Sequence, residues 1–285
     1  MDVSVIIPCW NEERHLARCL DALLAQTLPS ECYEVILVDN LSTDRSVAIA
    51  RRYPAVSVVQ ETRRSSYAAR NTGVRLARGR ILAFTDADCE VCPEWVERIR
   101  AALDDGRTAA LVGGRRFARE TLVLRNLADY EREKARYVFA QDDASLYYAY
   151  TNNMAIRREV FDRAGPFVEI ARGGDVILLS RVIAASGCDA VRFVPDILIR
   201  HLEIDRWYSW HRKMWIYGRS YQNYHPLSRT RPLSYRDRLA ILLSTSRRSG
   251  FPLLHGMLLM ASGVMATLAF EAGRRFERLR TRSRT

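Results

Sequence analysis

The first hundred residues alternate between short apolar runs and amphipathic segments, and this alternation constrains the fold more than any other feature. The apolar runs are rich in Val, Ile and Leu, as in strands buried on both faces, and they cover residues 3–7, Tyr33–Asp39, Val56–Gln60 and Ile81–Thr85. Between them, apolar residues recur at helical spacing, as in Leu16, Cys19, Leu20, Leu23 and Leu24. Strands that alternate with helices form parallel sheets covered on both faces, so we expect an α/β fold.

The predicted helices lie between these strands and begin at polar residues. Asn11 is a favourable N-cap for the first helix, with Glu12 and Glu13 in the first turn, where the helix dipole favours acids. A second helix is predicted over residues 43–52 and a third over residues 67–77. Each helix would return the chain to the start of the next parallel strand.

Polar residues follow three of the four predicted strands. Asp86 and Asp88 come directly after Ile81–Thr85, Asp39 ends the second strand, and Asn11 follows the first. Ligands of parallel α/β sheets bind beyond the carboxyl ends of the strands, so we expect these side chains to meet at one edge. Carboxylate oxygens suit Mg²⁺ or Mn²⁺ and, through the metal, a diphosphate. The alternative is that the two aspartates only cap a helix that begins near Pro93.

Four segments resemble, in order, the motifs of glycosyltransferase family 2. They are Val-Ser-Val-Ile-Ile-Pro-Cys-Trp-Asn-Glu-Glu from Val3, Val-Ile-Leu-Val-Asp-Asn-Leu-Ser-Thr-Asp from Val35, Ala-Ala-Arg-Asn-Thr-Gly from Ala68 and Phe-Thr-Asp-Ala-Asp from Phe84. The resemblance covers roughly residues 3–222. It implies a GT-A fold, with a Rossmann-like, mainly parallel sheet between helices, here followed by a helical C-terminal tail. It also implies an inverting transferase that takes a sugar from a nucleotide diphosphate, usually with Mg²⁺ or Mn²⁺ as cofactor.

The resemblance implies a nucleotide pocket built from the first two motifs. Pro8 and Asn11 would line it with Glu12 beside them, and Asp39 would hydrogen-bond the base, often uracil, which favours a UDP-linked donor. The family usually has Asp-Asp-Gly-Ser after the second strand, whereas this chain has Asp-Asn-Leu-Ser from Asp39. This departure bears on the nucleotide preference more than on the activity.

The third and fourth motifs imply the residues that hold the donor and the metal. Arg70 and Asn71 would face the nucleotide and donor, Asp86 would meet the ribose or donor sugar, and Asp88 would ligate the metal. His201 lies where many relatives place a histidine near the metal or diphosphate. The alternative for His201 is a core or surface histidine that binds no ligand.

The catalytic base of the family aligns with Asp175. The family pattern is Gly-Glu-Asp-x-Asp-Leu, and in this chain Gly174 replaces the Glu and Ile177 replaces the second Asp. A carboxylate at this place would take the proton of the acceptor hydroxyl as it attacks the anomeric carbon, and a single displacement of this kind inverts the configuration. The alternative role for Asp175 is a helix N-cap.

The chain divides into a predicted catalytic domain, residues 1–225, and a C-terminal tail, residues 226–285. Residues 1–105 would bind the nucleotide-sugar, and residues 106–225 would bind a carbohydrate or lipid-linked acceptor. Residues 207–224 alternate aromatic and basic side chains and predict a helix near the mouth of the site. The alternative for this helix is that its aromatic residues belong to the core.

The tail joins an apolar segment to a basic one. Residues 251–270 contain no Asp, Glu, Lys or Arg, and residues 271–285 contain six Arg and two Glu. About twenty helical residues span a bilayer core of roughly 30 Å, but the arginine-rich end opposes a single crossing. We therefore expect a helix that lies in the membrane interface, or a re-entrant hairpin with residues 238–248, on a peripheral or monotopic protein at the cytoplasmic face. A helix docked on the catalytic domain is the alternative.

The net charge indicates which partners the protein would bind, and the cysteines indicate its compartment. The formal net charge of +11 predicts anionic partners, either phosphorylated substrates or an anionic membrane surface, and no nucleic-acid-binding module is recognisable. Six scattered cysteines, including the lone Cys89-x-x-Cys92 pair, fit reduced cytosolic thiols better than a zinc site. The apolar N-terminal run is too short and lacks the basic flank of a signal peptide.

Other function classes stay open at this point. The acids missing at Asn40, Gly174 and Ile177 would suit a nucleotide-sugar-binding protein without activity. A nucleotidyltransferase can share the fold class, but it usually has a glycine-rich basic loop after the first strand, and Pro8-Cys-Trp-Asn lacks that character. No Gly-x-Gly-x-x-Gly follows this strand, which disfavours a dinucleotide oxidoreductase.

Overall fold

The computed structural model describes residues 1–228, 230–249 and 253–282. Its strands are β1 (Val3–Cys9), β2 (Tyr33–Asp39), β3 (Val56–Gln60), β4 (Ile81–Thr85), β5 (Cys89–Val91), β6 (Ala110–Phe117), β7 (Asn153–Arg157) and β8 (Val191–His201). Its α-helices are α1 (Leu16–Leu24), α2 (Ser46–Ala50), α3 (Ser66–Leu76), α4 (Trp95–Leu103), α5 (Leu122–Phe139), α6 (Arg158–Ala164), α7 (Gly174–Ser186), α8 (Trp207–Ser228), α9 (Tyr235–Ser249) and α10 (Leu253–Arg282).

Within the described residues the strands form one sheet in the order β3-β2-β1-β4-β7-β6-β8-β5. The first four strands pair in parallel, which confirms the arrangement predicted for the first hundred residues. The second half makes the sheet mixed, because β7 runs antiparallel to both β4 and β6, and β5 runs antiparallel to β8. The α/β fold is therefore confirmed, with its parallel character concentrated in the N-terminal half.

Helices cover both faces of the sheet, as the buried strands require. Leu20 of α1 and Trp95 of α4 pack in the core on one face, and Phe161 of α6 packs in the core on the other. Successive residues of a strand point to opposite faces, so Ile81 joins the first core and Phe84 joins the second. Ile81 and Phe84 are both almost fully buried, which explains why the sequence of β4 is a continuous apolar run.

Two predicted helix starts are wrong, and both errors have one cause. Helix α1 begins at Leu16 with His15 at its N-cap, so Asn11 does not cap it. Asn11 instead adopts a left-handed conformation with φ of 55°, and its Oδ1 accepts a hydrogen bond of 2.8 Å from the N–H of Thr43. Helix α2 starts at Ser46, because the residues ahead of it bind the loop after β1. The two loops are tied to each other, which a local pattern does not reveal.

Strand β8 brings a distant residue to the sheet edge. It runs without interruption from Val191 to His201, with a register shift against Gly113 and Gly114 of β6. Its last residue, His201, pairs with Cys89 at the start of β5. The helix predicted over residues 207–224 is confirmed as α8, which extends to Ser228.

The C-terminal tail is helical, as predicted, and α10 lies along α8. Gly218 and Gly273 allow the two backbones to approach closely: a Cβ at Gly218 would overlap the carbonyl oxygen of Phe270, and one at Gly273 would overlap that of Trp215. The tail therefore docks on α8 through backbone contact at these two glycines.

The other side of α10 is apolar and exposed. Val264 and Leu268 are 55% and 64% exposed, and further exposed apolar side chains are Met257, Met260, Met265 and Leu279. Among the described residues, one segment, His255–Arg280, is long and apolar enough to cross a membrane by length and composition. Phe251 and Pro252, at the start of the predicted apolar segment, lie outside the described residues.

Candidate active site

A cavity of about 500 Å³ lies at the carboxyl ends of β1 and β4, where a parallel sheet is expected to bind its ligand. Its walls come from the loops after these strands, from the N-terminus of α3 and from the segment before α7, and the lining residues are Pro8, Cys9, Trp10, Glu12, Asn40, Arg64, Ser65, Ser66, Asp86, Ala87, Asp88 and Ala171. The structure thus brings together Pro8, Glu12, Asp86 and Asp88, four of the residues selected from the sequence.

The end of the second strand carries a buried acid, Asp39, followed by Asn40 in place of the family's second acid. Asp39 is 2% exposed, and its Oδ1 accepts a hydrogen bond from the N–H of Ser42. Its Oδ2 has no hydrogen-bond partner among the described residues. Asn40, which stands where the family has an acid, donates from its side-chain amide to the carbonyl oxygens of Glu61 and Arg63 at 2.9 and 2.8 Å. A carboxylate could not make these bonds, so the departure from the family pattern is matched to the loop that follows β3.

Arg70 and Asn71 of α3, both predicted to face the donor, make different contacts. Arg70 is 3% exposed, and its guanidinium forms an ion pair with Asp86 at the cavity wall. Asn71 turns away from the cavity: its amide accepts from the backbone N–H of Phe167 and donates to the carbonyl of Phe167, both at 3.0 Å. Asn71 thereby joins the segment after α6 to α3. Asn11 also lies outside the lining of this cavity.

A potential metal site lies beside the Asp pair. The ligand atoms of Asp88, Cys89 and His201 lie within 4.8 Å of one another, and all three residues are buried. The pairing of β5 with β8 sets this geometry, since it places His201 opposite Cys89 and lets the N–H of Leu202 donate to the carbonyl of Asp88 at 2.8 Å. His201 Nδ1 is 3.4 Å from Asp88 Oδ2.

The electrostatics of this cluster fit a divalent cation. Burial, together with the charge of Asp86, raises the pKa of Asp88 to about 7, and burial with Asp88 nearby raises the pKa of Glu12 to about 8. Burial and the cation of Lys213 lower the pKa of His201 well below its ordinary value, so its imidazole is neutral, as ligation requires. His201 Nδ1 has no hydrogen-bond partner among the described residues. Crowded acids beside an unpartnered imidazole nitrogen are the donor set that Mg²⁺ or Mn²⁺ would neutralise.

Cys89 plays a different part in the cluster. Its thiol donates to Asp88 Oδ1 at 3.3 Å, and burial raises the pKa of this thiol well above its ordinary value. A thiol that keeps its proton is a poor metal ligand. Cys89 therefore orients the carboxylate of Asp88, and the candidate metal ligands within this group are Asp88 and His201.

Sequence reasoning missed several residues that the fold brings to the site. Lys213 of α8 places its Nζ 2.9 Å from His201 Nε2 and 2.8 Å from a carboxylate oxygen of Glu203. Arg64 adds a cation to the cavity wall, and Trp10 adds an exposed indole. The basic aromatic pattern of α8 signalled a helix near the site, but not which of its faces would meet His201.

Asp175 lies at the start of α7, and its hydrogen-bond partner comes from α3. The hydroxyl of Tyr67 donates to Asp175 Oδ1 at 2.9 Å and accepts from the N–H of Gly173 at 3.1 Å. The N-cap of α7 is Gly173, in a left-handed conformation with φ of 92°, so the alternative of Asp175 as an N-cap is wrong. Burial raises the pKa of Asp175 above its ordinary value.

The replacement of the family's Glu by Gly174 also has a steric reason. A Cβ at Gly174 would lie 2.8 Å from the carbonyl oxygen of Val168 and 3.1 Å from the ring of Tyr67. Arg70 lies over the same ring, with its guanidinium carbon 5.5 Å from the centroid. A line of contacts from Asp86 through Arg70 and Tyr67 to Asp175 therefore connects the end of β4 with the start of α7.

Known proteins resemble this chain over the same region. The model of the family Glycosyl transferase family 2 matches residues 4–165, more than half of the chain. The glycosyltransferase AglE of Haloferax volcanii is 32% identical over 208 residues, 70% of this chain and 66% of that protein. The poly(ribitol-phosphate) beta-glucosyltransferase of Bacillus spizizenii is 39% identical over 94 residues, 31% of this chain and 15% of that protein. The chain thus spans two thirds or less of the length of these relatives.

Solved structures share the fold. The mannosyltransferase PcManGT of Pyrobaculum calidifontis, in complex with GDP-Man and Mn²⁺, superposes with a TM-score of 0.63 at 21% identity, covering 98% of this chain and 84% of that one. TarS 1–349 of S. aureus, in complex with UDP-GlcNAc, superposes with a TM-score of 0.59 at 16% identity, covering 98% of this chain and 92% of that one. These likenesses confirm the GT-A fold, and with the family match over residues 4–165 the chain belongs to glycosyltransferase family 2.

Proposed function

We propose that the protein is a metal-dependent, inverting glycosyltransferase that moves a sugar from a UDP-linked donor to an acceptor hydroxyl. One observation carries the proposal: a half-buried carboxylate, Asp175, is connected through Tyr67 and Arg70 to Asp86 in the wall of the donor cavity. The family membership supports sugar transfer, and the acidic cluster beside the cavity supports the metal. The nucleotide preference rests on Asp39 alone, since one structural relative holds a GDP-sugar and another a UDP-sugar.

Each residue then has a defined task. Asp39 would hold the base, Asp86 the ribose or donor sugar, and Asp88 with His201 would hold the cation. A bound Mg²⁺ or Mn²⁺ would neutralise the charge that develops on the leaving diphosphate. Asp175 would take the acceptor proton, and its raised pKa makes it a stronger base than an exposed aspartate. One base and one attack opposite the leaving group give inversion.

The competing hypothesis of a nucleotide-sugar-binding protein without activity is weakened by the same contacts. Two of the departures that favoured it, at Asn40 and Gly174, follow from local packing and hydrogen bonding rather than from loss of the base. Asp175 keeps a hydrogen-bond donor that orients it, which a binding protein would not require.

The test is donor turnover by the full-length protein and its variants. A panel of nucleotide sugars, scored by protection against thermal unfolding with and without Mn²⁺, identifies the donor. Asp175→Asn should then lower turnover by about 10²- to 10⁴-fold, because the amide cannot take a proton, while donor affinity changes little. Asp88→Ala should remove the Mn²⁺-dependent part of donor binding. Asp162→Asn, the same change on the exposed surface of α6, serves as the control.

Two results would reject parts of this proposal. Unchanged turnover in Asp175→Asn would place the base elsewhere, and equal loss of donor binding would make Asp175 a structural residue. Donor binding by Asp88→Ala that still responds to Mn²⁺ would remove Asp88 from the metal site.

We also propose that the protein is peripheral at the cytoplasmic face of a membrane and uses a lipid-linked acceptor. The outward apolar face of α10 and the six arginines of residues 271–285 support this location. Full-length protein should sediment with anionic vesicles and resist high salt, because inserted apolar surface is not screened. The double variant Val264→Gln/Leu268→Gln should lose the salt-resistant part. Leu76→Gln, on an exposed leucine of α3, should not. Protein that stays in the supernatant at low salt would contradict the location.

A further inference from the structure

A second cavity, of about 250 Å³, lies under the C-terminal helix. It is enclosed by α5, by the chain around Tyr148, and by α8, α9 and α10. Trp210 and Phe270 give it apolar walls, and Lys134 and Arg238 bring cations into the lining. Gly263 and Ala266 of α10 leave the space open, and a Cβ at Gly263 would meet nothing within 4 Å.

The charges around this cavity do not balance. Glu131 receives hydrogen bonds from Lys134 at 2.6 and 2.7 Å and from Arg115 at 3.1 Å. Arg238 has no carboxylate within ion-pair distance among the described residues; its guanidinium donates to the carbonyl of Leu233 and to Thr267 Oγ1. The lining holds one carboxylate, Glu131, and three cations, of which Arg231 forms ion pairs with Asp143 and Asp237 outside the lining. Within the described part of the chain, Arg238 is left as the lining cation without a carboxylate partner. Arg238 is half-buried, and a cation partly removed from water is stabilised by an anion beside it.

A hydrogen-bond donor is also available beside these cations. The hydroxyl of Tyr148 is buried and has no hydrogen-bond partner within the described residues. Lys134 Nζ lies 5.2 Å from the centroid of the same tyrosine ring, and both residues line the cavity. An ammonium, a guanidinium and a phenol hydroxyl around a small volume match the oxygens of a phosphate group.

The cavity shares a wall with the proposed base. Val176, the neighbour of Asp175 in the chain, lines it, and so does Tyr224. The ring of Tyr224 packs on Gly173 so closely that a Cβ there would overlap it. The turn that presents Asp175 to the active site is therefore one wall of the second cavity.

We propose that this cavity holds the phosphate group of an amphiphilic acceptor, with the apolar part of that molecule along Trp210 and Phe270. The proposal rests on the proposed glycosyltransferase function, since it supplies the acceptor for the base. The phosphate would contact Lys134, Arg238 and the Tyr148 hydroxyl. The C-terminal helix then forms part of the acceptor site in addition to any contact with the membrane.

The experiment measures binding of two probes to the full-length protein by titration calorimetry. Farnesyl phosphate represents a lipid headgroup with its chain, and inorganic phosphate represents the free anion. Arg238→Gln should weaken the binding of farnesyl phosphate at least tenfold. The matched control Arg236→Gln makes the same change on the exposed side of α9 and should bind within twofold of wild type. Lys134→Met tests the second cation. Because this change leaves Arg115 as the sole partner of Glu131, its binding data are interpreted only if circular dichroism shows that the variant is folded.

Each outcome decides the proposal. Binding that depends on Arg238 and is at least a hundredfold tighter for farnesyl phosphate supports a lipid-linked acceptor. Equal, Arg238-dependent affinity for both probes supports a soluble phosphate ester. No saturable binding of either probe, or equal binding by Arg238→Gln and wild type, overturns the phosphate site. If neither probe binds the cavity, the predicted loss of turnover in Asp175→Asn is unaffected. Full turnover in Asp175→Asn would instead reject the transferase mechanism and would leave the calorimetric result unchanged.

Discussion

The two halves of the sheet reach the candidate active site by different physical routes. In the predicted donor half, residues 1–105, the side chains of Pro8, Asp39 and Asp86 lie at one edge because β1, β2 and β4 run parallel and end there. In the predicted acceptor half, residues 106–225, His201 is positioned by the antiparallel pairing of β5 and β8, and Asp175 by the N-terminus of a helix. Parallel topology alone positions the first group, whereas tertiary contacts position the second.

The difference also explains where the chain departs from the family pattern. In the donor half the change at Asn40 is matched by two backbone carbonyls, 21 and 23 residues away in the chain, in the loop that follows the neighbouring strand β3. In the acceptor half the change at Gly174 is answered by Tyr67, more than a hundred residues away in the chain. Substitutions in the donor half should therefore act locally, and those in the acceptor half should act across the interface between the halves.

The largest effect is expected from Asn40→Asp, which restores the acid usual in the family. The change removes two hydrogen-bond donors and sets a carboxylate beside the carbonyl oxygens of Glu61 and Arg63. We expect the free energy of unfolding to fall by about 2–4 kcal/mol, because two buried acceptors lose their partners and a charge faces them. Urea unfolding followed by circular dichroism measures this.

Asn40→Ala is the control for the charge. It removes the same two bonds without adding a carboxylate, so its loss of stability should be smaller than that of Asn40→Asp. If Asn40→Asp were as stable as wild type, these bonds would not hold the loop after β3. The expectation that substitutions in the donor half act through local contacts would then be contradicted.

A smaller effect is expected where the tail meets the acceptor half. Gly218→Ala places a methyl group against the carbonyl oxygen of Phe270, so α8 and α10 must move apart. We expect the free energy of unfolding to fall by about 1–3 kcal/mol, as for other overpacked sites, and the tail to become more sensitive to protease. A Cβ at Gly256 in α10 would make only an ordinary contact, 3.8 Å from Ser246 Oγ, so Gly256→Ala should be neutral or stabilising by up to about 1 kcal/mol. Equal stability of wild type and Gly218→Ala would mean that the tail is not closely docked.

The features that follow from local pattern and topology were predictable. The strands from β1 to β4, the helix α3 and the basic aromatic helix α8 follow their sequence signals. The convergence of Pro8, Asp86 and Asp88 follows from parallel strands that share one edge. His201 was selected only through the family resemblance, and the structure places it beside Asp88.

The features that depend on long-range packing were not predictable. The local pattern predicts Asn11 as a helix cap, whereas its side chain accepts a hydrogen bond from Thr43, 32 residues away in the chain, which no local pattern indicates. Lys213 and Tyr67 were not singled out for the site, since helical periodicity gives the spacing of side chains but not which neighbour each face will meet. The ligand roles of Asp88 and His201, and the base role of Asp175, stay predictions until they are measured.

The smallest effect, and the sharpest test of the contact between the halves, is expected from Tyr67→Phe. The change removes the hydroxyl that donates to Asp175 at 2.9 Å while keeping the ring. We expect kcat to fall about tenfold, equivalent to about 1.4 kcal/mol, with the KM for the donor unchanged. The bond from Tyr67 lowers the pKa of Asp175 against the rise caused by burial, so its removal raises that pKa further. Because the base acts when ionised, activity should be lost at a higher pH on the acid side of the profile. Tyr53→Phe removes a similar bond of 2.9 Å to the exposed Asp21 and should change neither quantity. A fall in kcat without a shift of the acid limb would make Tyr67 a packing residue and separate the two halves in catalysis.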